Sequence, residues 1–268
     1  MGIAHWIEIG GMDELSRQDT PVHRLDARAK AAVTLTFIAV VMSFGRHELS
    51  ALTPFALYPL VLLALGRIPL QPVLRKILVA APFALAVGIF NPLLDREPLA
   101  RIGPWVVTSG WMSFASIMAR FALTVGAALV LVACTGMYRL GAGLERLGLP
   151  RVFTTQLLFL YRYLFVVAEE GATMRRSVEL RAGGVRALPL RSYGSLVGHL
   201  LLRSLDRADR IHRAMVARGF DGEVRLLQPG RFGWREVVFV AGWLAFFAVA
   251  RRWNLAELLG RVLTGWSA

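Results

Sequence analysis

The sequence predicts an all-α, polytopic membrane protein of about five transmembrane helices, with a helical cytoplasmic segment inserted before the last of them. Three observations predict it. The 268-residue chain is 56% hydrophobic yet carries a formal net charge of +13, so apolar and basic residues must be segregated along it. Uncharged stretches recur at roughly the 17 to 25 residues needed to cross hydrocarbon. Between the last two of them lies a long arginine-rich stretch with helical periodicity. A basic nucleic-acid binder would share the charge, but the long uncharged stretches argue against that class.

Residues 1–30 form a cytoplasmic N-terminal segment. Glu8, Asp13, Glu14, Arg17 and Asp19 interrupt any apolar signal core, so the start is expected to stay in the mature protein. Residues 31–135 form a four-helix membrane region, with spans at about Ala29 to Phe44, Leu49 to Leu65, Ile77 to Leu94 and Ser113 to Thr135. Residues 234–268 hold the fifth span, near Trp234 to Trp253. Its uncharged centre is Val237 to Ala250, flanked by tryptophans suited to the interface and by Arg235, Arg251 and Arg252, which can snorkel outward.

Orientation follows from the basic residues. Arg17, Arg24, Arg28 and Lys30 precede the first span and Arg67, Arg75 and Lys76 follow the second, which places those segments in the cytoplasm by the positive-inside rule. The connectors after the first and third spans balance their arginines with Glu48, Asp95 and Glu97, and face the other side.

Residues 136–233 contain sixteen arginines, no lysine and eight acids, and are therefore cytoplasmic. Within them Val152 to Val167 is apolar, but Arg162 near its middle would cost roughly 2.5 to 3.5 kcal/mol in a span, so this piece reads as a helix on the bundle or at the membrane surface. Further on, Leu201, Leu205, Ala208, Ile211 and Met215 recur at three- and four-residue steps and form an apolar packing stripe, beside a charged one of Arg203, Arg207, Arg210 and Arg213. Asp206 and Asp209 stand four residues before Arg210 and Arg213, a spacing that supports a helix. Gly219 fits the left-handed position that ends a helix, just after Arg218. Upstream, Met174 to Arg181 reads as a helix end stopped by Gly183 and Gly184, and Pro189 keeps the two helices from joining.

The chain resembles a known family at this point: the transmembrane T components of energy-coupling factor importers, and among them the CbiQ-type subunit of cobalt transporters. The opening Pro21-Val22-His23-Arg24-Leu25-Asp26-Ala27-Arg28-Ala29-Lys30 is similar to the family's N-terminal signature. Thr108-Ser109-Gly110, with Arg120 downstream, is similar as well. The most specific match is a paired arginine motif at the ends of two cytoplasmic coupling helices. Ala217-Arg218-Gly219 fits it as it stands; Leu180-Arg181-Ala182-Gly183 departs from it. The resemblance implies that Arg181 and Arg218 insert into grooves of two cytoplasmic ATP-binding subunits. It further implies a substrate-binding membrane subunit of CbiM type, with or without a small CbiN-type subunit, and a place in the bacterial inner membrane. A guanidinium suits such a task, because it offers five donors and a permanent charge to carboxylates or helix-end carbonyls. An arginine at a helix C-terminus also stabilises the helix dipole by roughly 0.3 to 1 kcal/mol with no partner at all.

Enzyme chemistry finds little support. The two lysines, Lys30 and Lys76, stand after Ala29 and Arg75, so no Gly-Lys-Ser/Thr phosphate loop can be written and ATP must be hydrolysed by another chain. His5, His23, His47, His199 and His212 include no pair at ligand spacing on one helical face, and Cys134 is alone in an apolar run, so neither metal site nor cofactor is expected in this chain. Ser195 and His199 share a helical face without a third group to orient the histidine. Gly88, Gly126, Ala127 and Ala128 suit close packing, either within the bundle or against a partner. A membrane enzyme on lipid or cofactor precursors and a membrane-tethered binder of anionic lipid or nucleic acid remain the competing classes. Within the leading class, nickel or a vitamin could replace cobalt.

Overall fold

A computed structural model describes residues 15–45, 48–94, 98–102, 105–181, 190–222 and 232–253. Eleven α-helices and a two-stranded ribbon are assigned among them. In chain order these are α1 (Pro21–Arg24), α2 (Ala27–Met42), α3 (Leu49–Leu52), a 3-10 turn (Thr53–Ala56), α4 (Leu57–Leu65), α5 (Leu70–Gly88) and α6 (Phe90–Leu94). Strands β1 (Pro98–Ile102) and β2 (Trp105–Thr108) follow, then α7 (Ser109–Thr135), α8 (Met137–Arg146), α9 (Arg151–Arg181), α10 (Leu190–Ala217) and α11 (Trp234–Arg252). The chain divides into two compact units, a bundle made from 12–143 and 230–268, and an inserted unit at 144–229.

In the bundle α7 is the central helix, packing against α2, α3, α4, α5 and α6, while α11 lies on α2. The centre is aromatic. Phe37 of α2 meets Tyr58 of α4 at 4.9 Å between ring centroids, and Phe247 of α11 at 5.6 Å. Trp243 stands edge-on to Tyr58 at 4.8 Å. Each such pair contributes about 0.5–1.5 kcal/mol beyond burial, a contact energy that matters where surrounding lipid removes the hydrophobic drive between helices. The buried Tyr58 hydroxyl lies 2.7 Å from Thr34 Oγ1, whose own proton goes to the Lys30 carbonyl at 2.8 Å, so Tyr58 is the donor. The polar end of the ring is thereby satisfied away from water.

Leu74, Leu78, Phe83 and Val87 of α5 are exposed. On a water-soluble surface such a row would be an aggregation hazard; on a membrane helix it is the face turned to hydrocarbon. The small residues of the spans serve packing within the chain: a Cβ on Gly88 would lie 3.0 Å from the Phe114 ring, one on Gly126 3.6 Å from Ile77, and Ala127 is fully buried.

The predicted spans map onto α2, onto α3 to α4 through the 3-10 turn, onto α5 with α6, and onto α7 and α11. The third begins seven residues before its predicted start, because Pro69 supplies the extended residue ahead of a helix at Leu70, so that Arg75 and Lys76 lie inside α5 rather than in a connector. Its bend is real. Pro82 stands inside α5, and the helix breaks at Ile89 before Pro92. Two features depart from the expectation. The connector between α6 and α7 contains the antiparallel ribbon, pairing Ala100 with Val107 and Ile102 with Trp105, where β-branched and aromatic residues flank Gly103-Pro104. The two helical pieces expected at Val152–Val167 and Met174–Arg181 are one continuous 31-residue helix, α9. With Leu70–Pro92 and Ser109–Thr135, α9 is one of three helices long and apolar enough to cross a membrane by length and composition.

Candidate functional site

Within the inserted unit, α9 and α10 pair antiparallel. Thr155 Oγ1 donates to the Gly222 carbonyl at 3.3 Å, Phe159 meets Phe220 at 6.0 Å, Glu170 holds Arg203 at 2.9 Å, and a Cβ on Gly171 would touch Leu200 at 3.2 Å. The sequence builds this pairing by putting aromatic residues at the start of α9 and Gly171, with its acid neighbour, two-thirds along it.

The C-terminus of α10 is closed by a Schellman motif. Gly219 N–H donates to the Val216 carbonyl at 2.9 Å and Phe220 N–H to the Met215 carbonyl at 3.0 Å, with Gly219 at φ +79. Left-handed backbone favours glycine, as the Arg-Gly step suggests. Ala217 is the last helical residue, so Arg218 stands at the cap itself, exposed. Arg181 is the last residue of α9 and is also exposed. Among the described residues neither guanidinium has a hydrogen-bond or ion partner. Gly183, Gly184 and Pro189 lie outside the described residues. Because the helices are antiparallel and the end of α10 lies beside Thr155, Arg181 is 26 residues farther along α9, about 39 Å at 1.5 Å per residue. The two tips point away from opposite ends of one hairpin.

The predicted packing stripe divides. Ala208, Ile211 and Met215 line a cleft shared with α9, whereas Leu201 and Leu205 are each 58% exposed and turn away from it. On the side of α10 toward α9, the Glu170 carboxylate meets Arg203 and, at 3.8 Å, Arg207. Asp209 pairs with Arg213 as the spacing foresees, while Asp206 and Arg210 make no ion pair. Ser195 and His199 are both exposed.

The bundle holds a second constellation, of buried polar groups. Asp26 caps α2, accepting from Arg28 N–H at 2.8 Å, and its own N–H donates to Glu236 Oε1 at 3.3 Å. Glu236 Oε2 accepts from Gly233 N–H at 2.8 Å, so one carboxylate serves the first turns of α2 and α11 together. Lys30, 1% exposed, donates from Nζ to the Cys134 carbonyl at 2.9 Å, placing its ammonium at the negative end of α7. His23 Nε2 donates to the Leu15 carbonyl at 3.0 Å, which leaves Nδ1 to accept from Thr20 at 2.7 Å. Burial, then the charge of Lys30, pushes the His23 pKa down. Arg139 of α8 reaches the Ser16 and His23 carbonyls at 2.7 and 3.2 Å. At the far end of α2, Arg120 donates to the Gly45 carbonyl and Arg251 sits 4.2 Å over the Phe44 ring.

This corrects two readings of the sequence. Lys30 is a buried helix-end ligand and not merely a charge marking the cytoplasmic side, and the N-terminal signature works as a junction of helix ends. Glu236 was overlooked. Its signal was available as an acid three residues after Gly233, the spacing at which Glu reaches back to an N-cap.

Residues 18–228, which include Lys30, Asp26 and both arginine tips, match the profile of the cobalt transport protein CbiQ. The chain belongs to the CbiQ family. It is similar to the cobalt transport protein CbiQ of Rhodobacter capsulatus, 38% identical over 87 residues, 32% of this chain and only 36% of that protein. A longer alignment relates it to the energy-coupling factor transporter transmembrane protein EcfT of Heliobacterium modesticaldum, 28% identical over 76% of this chain and 81% of that one. The nickel permease LarQ of Lactiplantibacillus plantarum is 28% identical over 57% of this chain and 62% of its own. Membership of the CbiQ family makes the chain a multi-pass membrane component of a transporter, in accord with the resemblance carried by the signature and the arginine motif.

Proposed function

We propose that this chain is the coupling subunit of an ATP-driven cobalt importer in the bacterial inner membrane, with its N-terminus in the cytoplasm. Arg181 and Arg218 dock into two separate ATP-binding subunits, and the movement they receive passes to a substrate-binding membrane subunit of CbiM type, with or without a CbiN-type companion. One observation carries the reading: two antiparallel helices each end in an exposed arginine with no partner among the described residues, about 39 Å apart. That span exceeds the roughly 30 Å diameter of a small domain. Two docking partners fit that span.

Charge supports the same reading. An unpaired guanidinium offers charge-assisted hydrogen bonds to carboxylates or helix-end carbonyls in a groove. Arg181→Glu and Arg218→Glu, singly and together, test it by co-purification with the ATP-binding subunits and by uptake measured against ATP hydrolysis. The double variant is expected to lose assembly or to hydrolyse ATP without uptake; full assembly and full transport in that variant would refute the proposal. The likeness to a nickel permease keeps nickel as the second cargo. Uptake of labelled cobalt against labelled nickel, with the co-purifying substrate-binding subunit identified, decides between them.

A further inference from the structure

Two hollows adjoin each other in the inserted unit, and they differ in chemistry. One, of about 510 Å³, is mainly apolar: Val152, Phe159 and Tyr163 of α9 face Ile211 and Met215 of α10, and Phe220 closes one end. The other, of about 350 Å³, is polar and contains Arg203, Arg207 and Arg210 with the carboxylates of Glu170 and Asp206. Val167, Ser204 and Arg207 belong to both linings, so the apolar hollow opens beside the arginines without an intervening element.

We propose that this double hollow binds one anionic phospholipid, an acyl chain lying in the apolar part and the phosphodiester resting on Arg207 and Arg210. Three facts commit the site to that occupant. The volume of the apolar hollow lies in the range of ligand sites, and its rings and branched chains give an acyl chain a mainly apolar wall. Glu170 already engages Arg203 and Arg207, leaving Arg210 without an acidic partner among the described residues, so the polar hollow keeps one net positive charge. A phosphodiester carries one negative charge and neutralises it. Finally, Val152 to Val167, the wall contributed by α9, is the apolar segment whose sequence reads as a helix on the bundle or at the membrane surface, and at that surface such lipids are present. A zwitterionic lipid would bring its own cation to the arginines and bind less well. The inference does not depend on the identity of the transported ion or on docking of the two tips.

The test uses the full chain in detergent and native mass spectrometry, with phosphatidylglycerol, phosphatidylcholine or inorganic phosphate added. The wild type is expected to retain one phosphatidylglycerol at least fivefold more than phosphatidylcholine. Arg207→Gln with Arg210→Gln should abolish that preference. Ala208→Trp, and independently Gln156→Trp from the exposed edge of the opposite wall, should abolish retention while helical circular dichroism is unchanged. Equal retention of the two lipids, displacement of phosphatidylglycerol by millimolar phosphate, or unchanged retention in both tryptophan variants overturns the proposal. If retention persists in those variants while a partner membrane subunit ceases to co-purify, the cleft is a protein-docking groove and not a lipid site.

Discussion

Gly219 offers a test of whether the shape of the α10 tip, and not only its charge, is used. The residue lies at φ +79, and a Cβ there would meet nothing within 4 Å in this chain. Any effect of substitution therefore comes from backbone conformation. A β-branched residue held left-handed costs roughly 1–2 kcal/mol, while Asn is among the residues that visit this region readily. In a free Gly219→Val variant the strain is relieved by unwinding the cap, with loss of the bonds from Gly219 and Phe220 to the Val216 and Met215 carbonyls. Docking must restore the geometry and bear the strain again. The same roughly 1–2 kcal/mol then appears as about a 5- to 30-fold rise in the dissociation constant. The assay is equilibrium binding of the detergent-solubilised chain to purified ATP-binding subunits. Gly219→Val should bind 5- to 30-fold more weakly, and Gly219→Asn within about threefold of wild type, on the same conformational energies. Valine binding as tightly as glycine, or asparagine failing as badly as valine, would refute the reasoning.

Three further outcomes are expected. Glu236→Ala removes the acceptor of two helix-start N–H groups and should cost about 2–4 kcal/mol, read as a lower midpoint of thermal unfolding in detergent, with Glu236→Gln intermediate. His23 is held neutral with its pKa below the unfolded value, so its contribution is complete above about pH 6.5 and is lost as pH falls toward the folded pKa; the thermal midpoint should drop with acidification, less steeply in His23→Gln. Gly143→Val places a Cβ 2.8 Å from the Ala27 Cβ where α8 crosses the start of α2, and should destabilise by about 1–3 kcal/mol in the same melting assay.

The helices were legible where one physical demand set the pattern. Crossing hydrocarbon forces long uncharged runs, so the last span is foreseen to within a residue of α11. Gly219 was legible because few residues adopt its backbone. The continuity of α9 was hidden, since Arg162 breaks the apolar run without breaking helical propensity. Its side chain stays exposed, near the Tyr163 ring. The split of the 201–215 stripe was hidden too. Periodicity shows that Leu201 and Met215 share a side of the helix, but not how much of that side meets α9, where Glu170 lies thirty-three residues before its partner Arg203. The contacts of Lys30 with Cys134 and of Asp26 with Glu236 were unreadable for the same reason: the partners are remote in sequence.

The acceptor that Glu236 offers to Asp26 N–H comes from 210 positions later in the chain. During synthesis the first span therefore emerges with its starting turn incomplete, and the whole of 144–229 must be made before the carboxylate that closes it exists. The inserted unit is thus translated while the bundle still lacks α11, and a stretch made after it completes the helix start begun at Asp26.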